Sequence, residues 1–337
     1  LPQEYIEAFQ ALQNDAAPVS FARIEKVLRK SWGRDWRERF RWIEETPVAV
    51  ASIAQVHRAR LEDGTDVAVK VRLPGVSKLF EQDAKVFQVL AAIAAPRFRE
   101  FDLKQAIEQL LIMTAMELDF RNEAANTRRF SRQPHHDRIR IPDLIDGLCS
   151  ERILVTSWEQ GQRLRNHLDA NPEQAKDLLS VLLTSYLQQV TRFGVYQADP
   201  HPGNFLVNDQ GQVVILDFGA IGVLTPDQVR RYSRLLYGLM GFEGEVDIGE
   251  LFVQAGFKGG SPETLKELAL FVLTDKVNQQ GPVAAMGELM QRFREERISI
   301  PDSYIGISRV LITLGGFLMS YQVPFDWTPP EQRAGGG

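Results

Sequence analysis

The stretch that decides the fold is residues 196–207, YQADPHPGNFLV, with its continuation at residues 213–219, VVILDFG. Four residues separate Asp199 from Asn204 in a segment rich in Pro and Gly, which predicts a loop. A short apolar strand, a turn at residues 208–211 and a second apolar strand then lead to Asp217. The pattern therefore predicts a loop that carries Asp199 and Asn204, followed by a hairpin that ends at Asp217.

This spacing has a physical reason in phosphoryl transfer. In kinases one Asp orients the attacking hydroxyl, an Asn on the same loop binds one magnesium ion, and the Asp of Asp-Phe-Gly binds the metal that bridges the phosphates. Asp199, Asn204 and Asp217 match these roles in that order. A hairpin whose Asp and Asn residues merely form turns accounts for residues 208–211, but it does not explain an Asp-Phe-Gly at this distance. We therefore favour the catalytic half of a kinase.

Composition excludes other classes of protein. A chain of 337 residues with 44% hydrophobic and 25% charged residues is typical of a soluble globular protein, long enough for two lobes around a cleft. A net charge of −5 argues against a nucleic-acid partner. The single Cys149 cannot form a disulfide within the chain, which favours the cytoplasm. The most apolar segment, residues 310–325, is shorter than the roughly 20 residues of a membrane span, so we expect a core helix and no transmembrane segment.

The first half of the chain predicts the other kinase lobe. Residues 1–45 have a helical pattern, with Ser20 as a helix start and Gly33 as a stop. Residues 49–59 and 66–71 then read as two strands joined by an Asp-Gly turn. The second strand carries Lys70. A lysine on an edge strand is common because it discourages pairing with other chains, but ahead of Asp199 it is the expected phosphate-binding lysine.

Such a lysine needs a carboxylate partner on a nearby helix. The helical pattern of residues 105–130 offers Glu117, Asp119 and Glu123, and the pattern alone does not rank them. Residues 141–145 and 151–156 read as two further strands. The second leads to a hinge that contains Trp158, whose backbone would hydrogen-bond adenine.

The second lobe begins with a core helix that starts at Asn171 and Pro172 and stops at Gly194. After the Asp-Phe-Gly, few residues precede a new helix start at Thr225. This leaves no room for an activation segment that docks a peptide, so a protein acceptor is not expected.

With these motifs in place, the chain resembles the UbiB (AarF-like) family of atypical kinases, whose members support the biosynthesis of ubiquinone and related quinones. Two marks are the Lys70 strand and residues 198–204 followed by Asp-Phe-Gly. A third is the motif Glu117-Leu118-Asp119 followed by Glu123. The fourth is an Ala-rich loop that replaces the glycine-rich loop of other kinases and comprises Ala49, Val50, Ala51, Ser52, Ile53, Ala54, Gln55 and Val56.

The resemblance implies a two-lobed, protein-kinase-like α+β fold. The domains would be a helical extension at residues 1–45, an N-lobe at 46–158 and a helical C-lobe at 159–337. It implies ATP or ADP with Mg²⁺ as cofactors, bound by the Ala-rich loop, Lys70, Glu123 and Trp158. Asn204 and Asp217 would hold the metal, while Lys70 and Asp199 would be catalytic.

The resemblance also ranks the three carboxylates. Glu123 would pair with Lys70, whereas Glu117 and Asp119 would belong to a family-specific regulatory element over the active site. His57 and His201 are expected to make structural hydrogen bonds. One departure from the family is that its Gln-Arg-Pro-Gly loop reads Arg72-Leu73-Pro74-Gly75 here. The family's Lys-x-Gly-Gln motif lies upstream of a segment like residues 1–5, so its gating of the cleft is not readable from this sequence.

Two functions from different classes follow. The first is an atypical kinase or ATPase that supports quinone biosynthesis and acts on a small molecule or lipid. The second is a nucleotide-gated scaffold that organises quinone-biosynthesis proteins without phosphoryl transfer. Retention of Lys70, Asp199, Asn204 and Asp217 favours the enzyme, since a scaffold has no need of a base. Expected partners are an adenine nucleotide, quinone-biosynthesis enzymes and anionic lipid, at a cytoplasmic location with peripheral contact to the inner membrane.

Overall fold

The computed structural model describes residues 18–94, 103–239, 242, 246–261, 263–265, 291 and 295–323. The chain divides into two compact units. The first holds the described residues of Leu1–Arg132 and Pro142–Glu159, and the second holds those of Gln133–Ile141 and Gln160–Gly337. Helices accompany mostly antiparallel strands, which confirms the predicted α+β class. The helical pattern expected for residues 1–17 lies outside the described residues.

The first unit is built on one antiparallel sheet in the order β1-β3-β4-β6, with β2 added to β3. Gly64, in the turn between β3 and β4, has a φ of +95°, which confirms the Asp-Gly hairpin and explains the glycine. Val56 lies opposite Lys70, and the next residue, His57, lies opposite Val69. Because successive side chains alternate, Lys70 and His57 are on opposite faces of the sheet. The strands are Phe40–Ile43 (β1), Ala49–Val50 (β2), Ala54–Leu61 (β3), Asp66–Arg72 (β4) and Ile153–Ser157 (β6).

Helix α1, Phe21–Trp32, packs on the sheet face away from Lys70. The sequence assigned residues 1–45 to a separate helical extension, but Phe40–Ile43 is a strand, and α1 shares one core with the sheet. The reason is that an amphipathic helix must bury its apolar stripe, and alternate residues of β4 offer an apolar surface. The shared core contains Ile24, Val27, Leu28, Trp36, Phe40, Ala59, Val67, Val69 and Val71.

Two fully buried polar residues of β3, Gln55 and His57, contact the start of α1 and the residues before it. The Gln55 amide accepts a hydrogen bond from the Val19 N–H at 2.6 Å and donates to the Val19 carbonyl at 3.1 Å. The His57 Nδ1 lies 2.8 Å from the Glu44 carbonyl, and the ring of Phe21 stands edge-on to the imidazole at 5.4 Å. The hydrogen bond expected for His57 is therefore present, and it is structural.

The first unit also contains the helices α2, Val76–Ala94, α3, Leu103–Glu117, and α4, Phe120–Ser131. The sequence predicted a single helix over residues 105–130, whereas the structure interrupts it at Leu118 and Asp119. Asp119 is the reason, because its side chain accepts a hydrogen bond from the Arg121 N–H at 3.1 Å and so starts a new helix.

The second unit holds a sheet in the order β5-β10-β9-β7 and a two-stranded ribbon of β8 and β11. The strand predicted at residues 141–145 is reduced to an isolated bridge of Leu144 to Thr156 in β6, whereas β5 ends at Arg140 and runs parallel to β10. Pro142 separates the two pairings, since it has no N–H to donate to a ladder. The strands are Ile139–Arg140 (β5), Gly161–Arg163 (β7), Val195–Gln197 (β8), Phe205–Asn208 (β9), Val213–Ile215 (β10) and Ile221–Val223 (β11).

The helices of the second unit are Leu164–Ala170 (α5), Ala175–Gln188 (α6), Pro226–Leu239 (α7), Ile248–Gln254 (α8) and Asp302–Ser320 (α9). The core helix predicted from Asn171 to Gly194 is α6, extended by a π-helical turn at Gln189–Phe193. Gly194 ends it with a φ of +64°, as expected for a left-handed stop. Thr225 and Gln228 exchange hydrogen bonds at the start of α7, which confirms the predicted cap.

Among the described residues, α9 is the one helix whose length and apolar composition would allow it to cross a membrane. Within its most apolar 18-residue window, 39% of the residues are buried in the protein. Its buried side chains include Tyr304, Ile307 and Val310, and the helix packs on α6 and β11. This packing is the pattern of a core helix, although length and composition alone do not distinguish it from a span.

The buried His57 generates a prediction for the pH dependence of stability. Burial lowers the pKa of His57 below its ordinary value of 6.5, so below pH 6.5 the unfolded chain takes up a proton here before the folded chain does. Stability should therefore fall as the pH is lowered through this window. Tm measured from pH 7.5 to 5 should drop less steeply for His57→Gln than for the wild type. His136→Gln, which removes a surface imidazole, is the control, and equal slopes for wild type and His57→Gln would contradict the assignment.

Candidate active site

The candidate site residues fall into two groups, one in each unit. In the first unit, the Lys70 ammonium lies 2.7 Å from Glu123 Oε1 and 2.8 Å from Glu123 Oε2. The Lys70 side chain is 20% exposed and that of Glu123 is 6% exposed, so the pair is largely withdrawn from water. The ammonium also lies 5.4 Å from the centroid of the Phe120 ring. Of the three carboxylates left open by the helical pattern, Glu123 is the one that the structure places on Lys70.

Helix α4 holds Glu123 in place. The helix starts at the Asp119 cap, and the Arg121 guanidinium beside Asp119 lowers the pKa of that carboxyl, which keeps the cap ionised. Phe120 and Ala124 are buried against Ala54 and Leu154 of the sheet. Glu123 lies one helical turn beyond the cap and therefore faces the strand that carries Lys70.

Arg72 connects the Lys70 strand to the Glu117-Leu118-Asp119 motif. Its guanidinium donates to the Leu118 carbonyl and to Glu151 Oε1, the latter at 2.9 Å, and its side chain is 7% exposed. Glu117 is exposed at the end of α3, and Asp119 is half-buried at the start of α4. The motif predicted to be regulatory is thus attached to the strand through its central backbone carbonyl.

The Ala-rich loop is the hairpin of β2 and β3. Ala49 pairs with Val56 and Val50 with Gln55, while the Ala51 N–H donates to the Ala54 carbonyl at 2.8 Å and closes the turn. Ala51 and Ser52 are exposed at its tip, and Ile53 is half-buried. Val56 lies opposite Lys70 and on the same face of the sheet, and the nucleotide-binding role of the loop stays a prediction.

Three residues assigned to this nucleotide site make other contacts in the first unit. The Gln55 side chain binds Val19 on the opposite face of the sheet, and Ala54 is fully buried against α4. The Trp158 N–H donates to the Asp66 carbonyl at 2.9 Å, which extends the β4–β6 ladder, and its indole lies 5.0 Å from the Arg58 guanidinium. An adenine would have to use other groups than the Trp158 amide.

In the second unit, one backbone carbonyl organises the loop that carries Asp199 and Asn204. The Asp199 carbonyl accepts hydrogen bonds from the Gln197 side-chain amide at 2.5 Å, the His201 N–H at 2.8 Å and the Asn204 side-chain amide at 3.2 Å. The Asp199 carboxylate is exposed. Since the NH₂ group of Asn204 is used in the loop, its amide oxygen is the atom suited to a magnesium ion.

Asp217 follows β10 at a sharp turn. Its Oδ1 accepts a hydrogen bond from the Gly219 N–H at 2.8 Å, and the next side chain, Phe218, is 1% exposed. The Leu216 N–H donates to the Asn204 carbonyl at 2.9 Å, which connects the two segments predicted to hold metal. The position of Asp217 is therefore set by its turn to Gly219, by the buried Phe218 and by the backbone hydrogen bond of Leu216 to Asn204.

His201 stabilises the same loop. Its Nδ1 accepts a hydrogen bond from the Gly203 N–H at 3.1 Å, and the Arg163 guanidinium donates to the Gly203 carbonyl. Because Nδ1 is an acceptor, the neutral ring carries its proton on Nε2. The structural role expected for His201 is therefore present.

The donor set suits a magnesium nucleotide. No three His, Cys, Asp or Glu side chains within the described ranges lie close enough to hold a metal by themselves. Magnesium in nucleotide sites takes one or two protein oxygens and completes its shell with phosphate and water. Asp217 and Asn204 supply such oxygens, so these residues fit the expected ion.

Sequence reasoning missed Arg72 and Gln197. Arg72 was noted as a departure from the family loop, but its partner Leu118 is 46 residues away and offers only a backbone carbonyl. Gln197 lies within residues 196–207, and its role is not predicted by the motif there. A polar residue between Tyr196 and Ala198 at the end of an apolar strand was the available signal.

Comparison with known proteins supports the kinase assignment. A family model described as the ABC1 atypical kinase-like domain matches residues 11–245. AarF domain-containing protein kinase 1 of Xenopus laevis is 31% identical over 253 residues, which are 73% of this chain and 49% of that protein. Protein ACTIVITY OF BC1 COMPLEX KINASE 7, chloroplastic, of Arabidopsis thaliana is 26% identical over 327 residues, 94% of this chain and 47% of that protein. The chain thus spans about half the length of these curated relatives.

A solved structure is similar over most of the chain. Rv3197 of Mycobacterium tuberculosis, determined in complex with erythromycin, aligns with a TM-score of 0.69 and 25% identity over 95% of this chain and 83% of that one. Together with the family match, this confirms the predicted kinase-like α+β fold and the resemblance to AarF-like proteins.

The Arg72 contacts generate a stability prediction. Arg72→Met removes both hydrogen bonds and leaves the buried Leu118 carbonyl without its donor, which should cost about 1–3 kcal/mol in urea unfolding. Exchange of the Phe120 amide, which donates to the Glu151 carbonyl, should become faster. Arg152→Met is the control because Arg152 also lies near Glu151, at 3.9 Å, but does not reach Leu118. Equal losses in the two variants would contradict a role for the Leu118 bond.

Proposed function

The chain belongs to the ABC1 family of atypical kinase-like proteins, and we propose that it binds a magnesium–adenine nucleotide and transfers or hydrolyses the terminal phosphoryl group. The observation that carries the proposal is the Lys70–Glu123 pair, in which both carboxylate oxygens hold the ammonium. A kinase requires this pair to bring the lysine to the phosphates. The joined loop and turn that present Asp199, Asn204 and Asp217 in the second unit support the same chemistry.

Each residue has a separate task in this proposal. Glu123 orients the Lys70 ammonium, which stabilises the negative charge of the α- and β-phosphates. Asp217 and Asn204 hold the magnesium ion, which neutralises charge on the phosphate oxygens when it is bound. Asp199 orients the acceptor hydroxyl and accepts its proton as the new oxygen–phosphorus bond forms. The bond from the γ-phosphorus to the bridging oxygen breaks, and the nucleoside diphosphate leaves with that electron pair.

The roles of Asp217 and Asp199 are separable by a pair of isosteric variants. Asp217→Asn should abolish magnesium-dependent nucleotide binding, because it removes the charge of the main metal ligand. Asp199→Asn should leave binding intact and lower turnover by about 10²–10⁴-fold, because the base acts in the transition state. Calorimetry with and without magnesium, together with phosphate release, measures both quantities.

Each variant is the control for the other, since both remove one carboxylate charge from the same unit. Unchanged affinity of Asp217→Asn in magnesium would count against the metal assignment. Turnover of Asp199→Asn at the wild-type rate would show that Asp199 is not the base. A wild-type chain that binds the nucleotide but never turns it over would favour the nucleotide-gated scaffold.

The acceptor class follows from the segment after Asp217. Residues 221–223 form β11, which pairs with β8, and α7 begins at Pro226. Protein kinases dock an extended peptide on a longer segment at this place in the chain, whereas here its backbone groups are already paired within the unit. This supports a small molecule or lipid as acceptor, and the likeness to AarF-like kinases suggests a role in isoprenoid quinone biosynthesis. Quinone-biosynthesis enzymes and anionic membrane lipid are the partners that this role implies.

The acceptor proposal predicts a selective response. Phosphate release should rise when anionic lipid vesicles or a phenolic quinone precursor are added, and no phosphate should pass to a generic peptide. Zwitterionic vesicles of equal size and lipid concentration are the control for a nonspecific surface effect. Robust transfer to a peptide, with no response to anionic lipid or the phenol, would overturn the assignment of the acceptor.

A further inference from the structure

Gln197 is a fully buried polar residue at the end of β8, two positions before Asp199. Its side-chain NH₂ group donates to the Asp199 carbonyl at 2.5 Å and to the Asp217 carbonyl at 3.3 Å. The two carbonyls belong to segments 18 residues apart, one on the loop and one after β10. A single amide group therefore joins the backbone of the proposed base to that of the proposed metal ligand.

The other half of the amide is also fully used. Gln197 Oε1 accepts hydrogen bonds from the Tyr186 hydroxyl at 2.7 Å and from the Asp199 N–H at 3.1 Å. A Gln amide offers two donors and an oxygen with two lone pairs, so these four bonds satisfy it completely. The amide cannot rotate or flip without breaking at least two of them, which makes its position well defined.

Gln197 is in turn hydrogen-bonded to two buried residues, Gln189 and Tyr186. The Gln197 N–H donates to Gln189 Oε1 at 3.1 Å, and Gln189, itself 0% exposed, donates to the Ser185 hydroxyl at 3.2 Å. Tyr186 packs edge-on against Phe205 at 6.4 Å. Burial raises the pKa of Tyr186 well above its usual value, so its hydroxyl stays a donor. The bridge to Asp199 and Asp217 therefore rests on α6 and the turn that follows it, which are parts of the core.

We propose that Gln197 is the positioning residue that fixes the base Asp199 relative to the metal ligand Asp217. The proposal rests on the phosphoryl-transfer function proposed above. Its physical basis is that an acceptor and a metal-bound phosphate react only when held within a few tenths of an ångström of the productive geometry. Gln197 touches neither substrate nor metal in this role; it acts through two backbone carbonyls.

Two variants of Gln197 separate its donor and acceptor functions. Gln197→Glu keeps an oxygen for Tyr186 and for the Asp199 N–H, but its second oxygen faces two carbonyl oxygens and can retain at most one of the donor bonds. Gln197→Met keeps the length of the side chain and none of the bonds. Both variants should raise the magnesium concentration for half-maximal phosphate release by about 10–100-fold, as observed for groups that orient metal ligands.

Hydrogen exchange gives a second readout that does not depend on the nucleotide. In Gln197→Met the Asp199 amide loses its acceptor and should exchange faster, whereas in Gln197→Glu it should keep much of its protection. Leu235→Ala is the control, because it opens a cavity at a fully buried position of α7. It should lower Tm without changing the magnesium dependence or the exchange of the Asp199 amide.

The outcomes distinguish this inference from the proposed function. If the wild type shows magnesium-dependent turnover and both Gln197 variants keep the wild-type magnesium dependence, Gln197 is a structural residue and the inference is wrong. If the wild type binds no magnesium nucleotide, the proposed function fails, and with it the positioning role. Exchange of the Asp199 amide then decides whether Gln197 holds the loop at all, and wild-type exchange in Gln197→Met would contradict that as well.

Discussion

The ion pair of Lys70 with Glu123 is the constraint on which the first unit depends. Removing either partner of a buried pair leaves an uncompensated charge and costs about 3–5 kcal/mol, so its surroundings must keep the two side chains together. The sheet supplies Lys70 from β4, and α4 supplies Glu123 one turn after the Asp119 cap. Arg72, two residues beyond Lys70, binds the carbonyl that precedes this cap. The strand and the helix are thus joined at the Lys70–Glu123 pair and again at the hydrogen bond from Arg72 to the Leu118 carbonyl.

In the second unit, neutral groups position the backbone of the candidate site residues. Asp199 and Asp217 carry the charges expected to meet phosphate and metal. Their backbone carbonyls accept hydrogen bonds from the Gln197 amide, which is completely hydrogen-bonded. A satisfied polar network in a core gives rigidity without placing an unpaired charge in a region of low dielectric. The carboxylate of Asp199 remains exposed while its backbone is fixed.

Much of the fold was predictable where local chemistry dictates it. The Asp-Gly turn, the Thr225 cap and the Gly194 stop are confirmed because each depends on a few neighbouring residues. The errors lie where distant partners decide. Phe40–Ile43 was assigned to a helical extension but adds to β3, and the helix predicted over residues 105–130 is interrupted by a cap. The strand predicted at residues 141–145 is reduced to a bridge of Leu144 to Thr156, because Pro142 has no N–H to donate and separates it from β5 at Ile139–Arg140.

The sequence by itself predicted which residues would carry the chemistry, because kinase motifs place particular side chains in a fixed order along the chain. Lys70, Asp199, Asn204 and Asp217 are readable for that reason, and the order of the motifs identified the family. The helical pattern left the carboxylate partner of Lys70 open, the family resemblance named Glu123, and the structure shows that contact. Only the tertiary structure decided which partners the residues of β3 meet. The family resemblance assigned Gln55 and Ala54 to a nucleotide as part of the Ala-rich loop, yet the Gln55 side chain binds Val19 and Ala54 packs on α4. The physical reason is that Arg72 and Gln197 donate hydrogen bonds to backbone carbonyls. Every residue has a backbone carbonyl, so the sequence does not show which residue accepts such a bond.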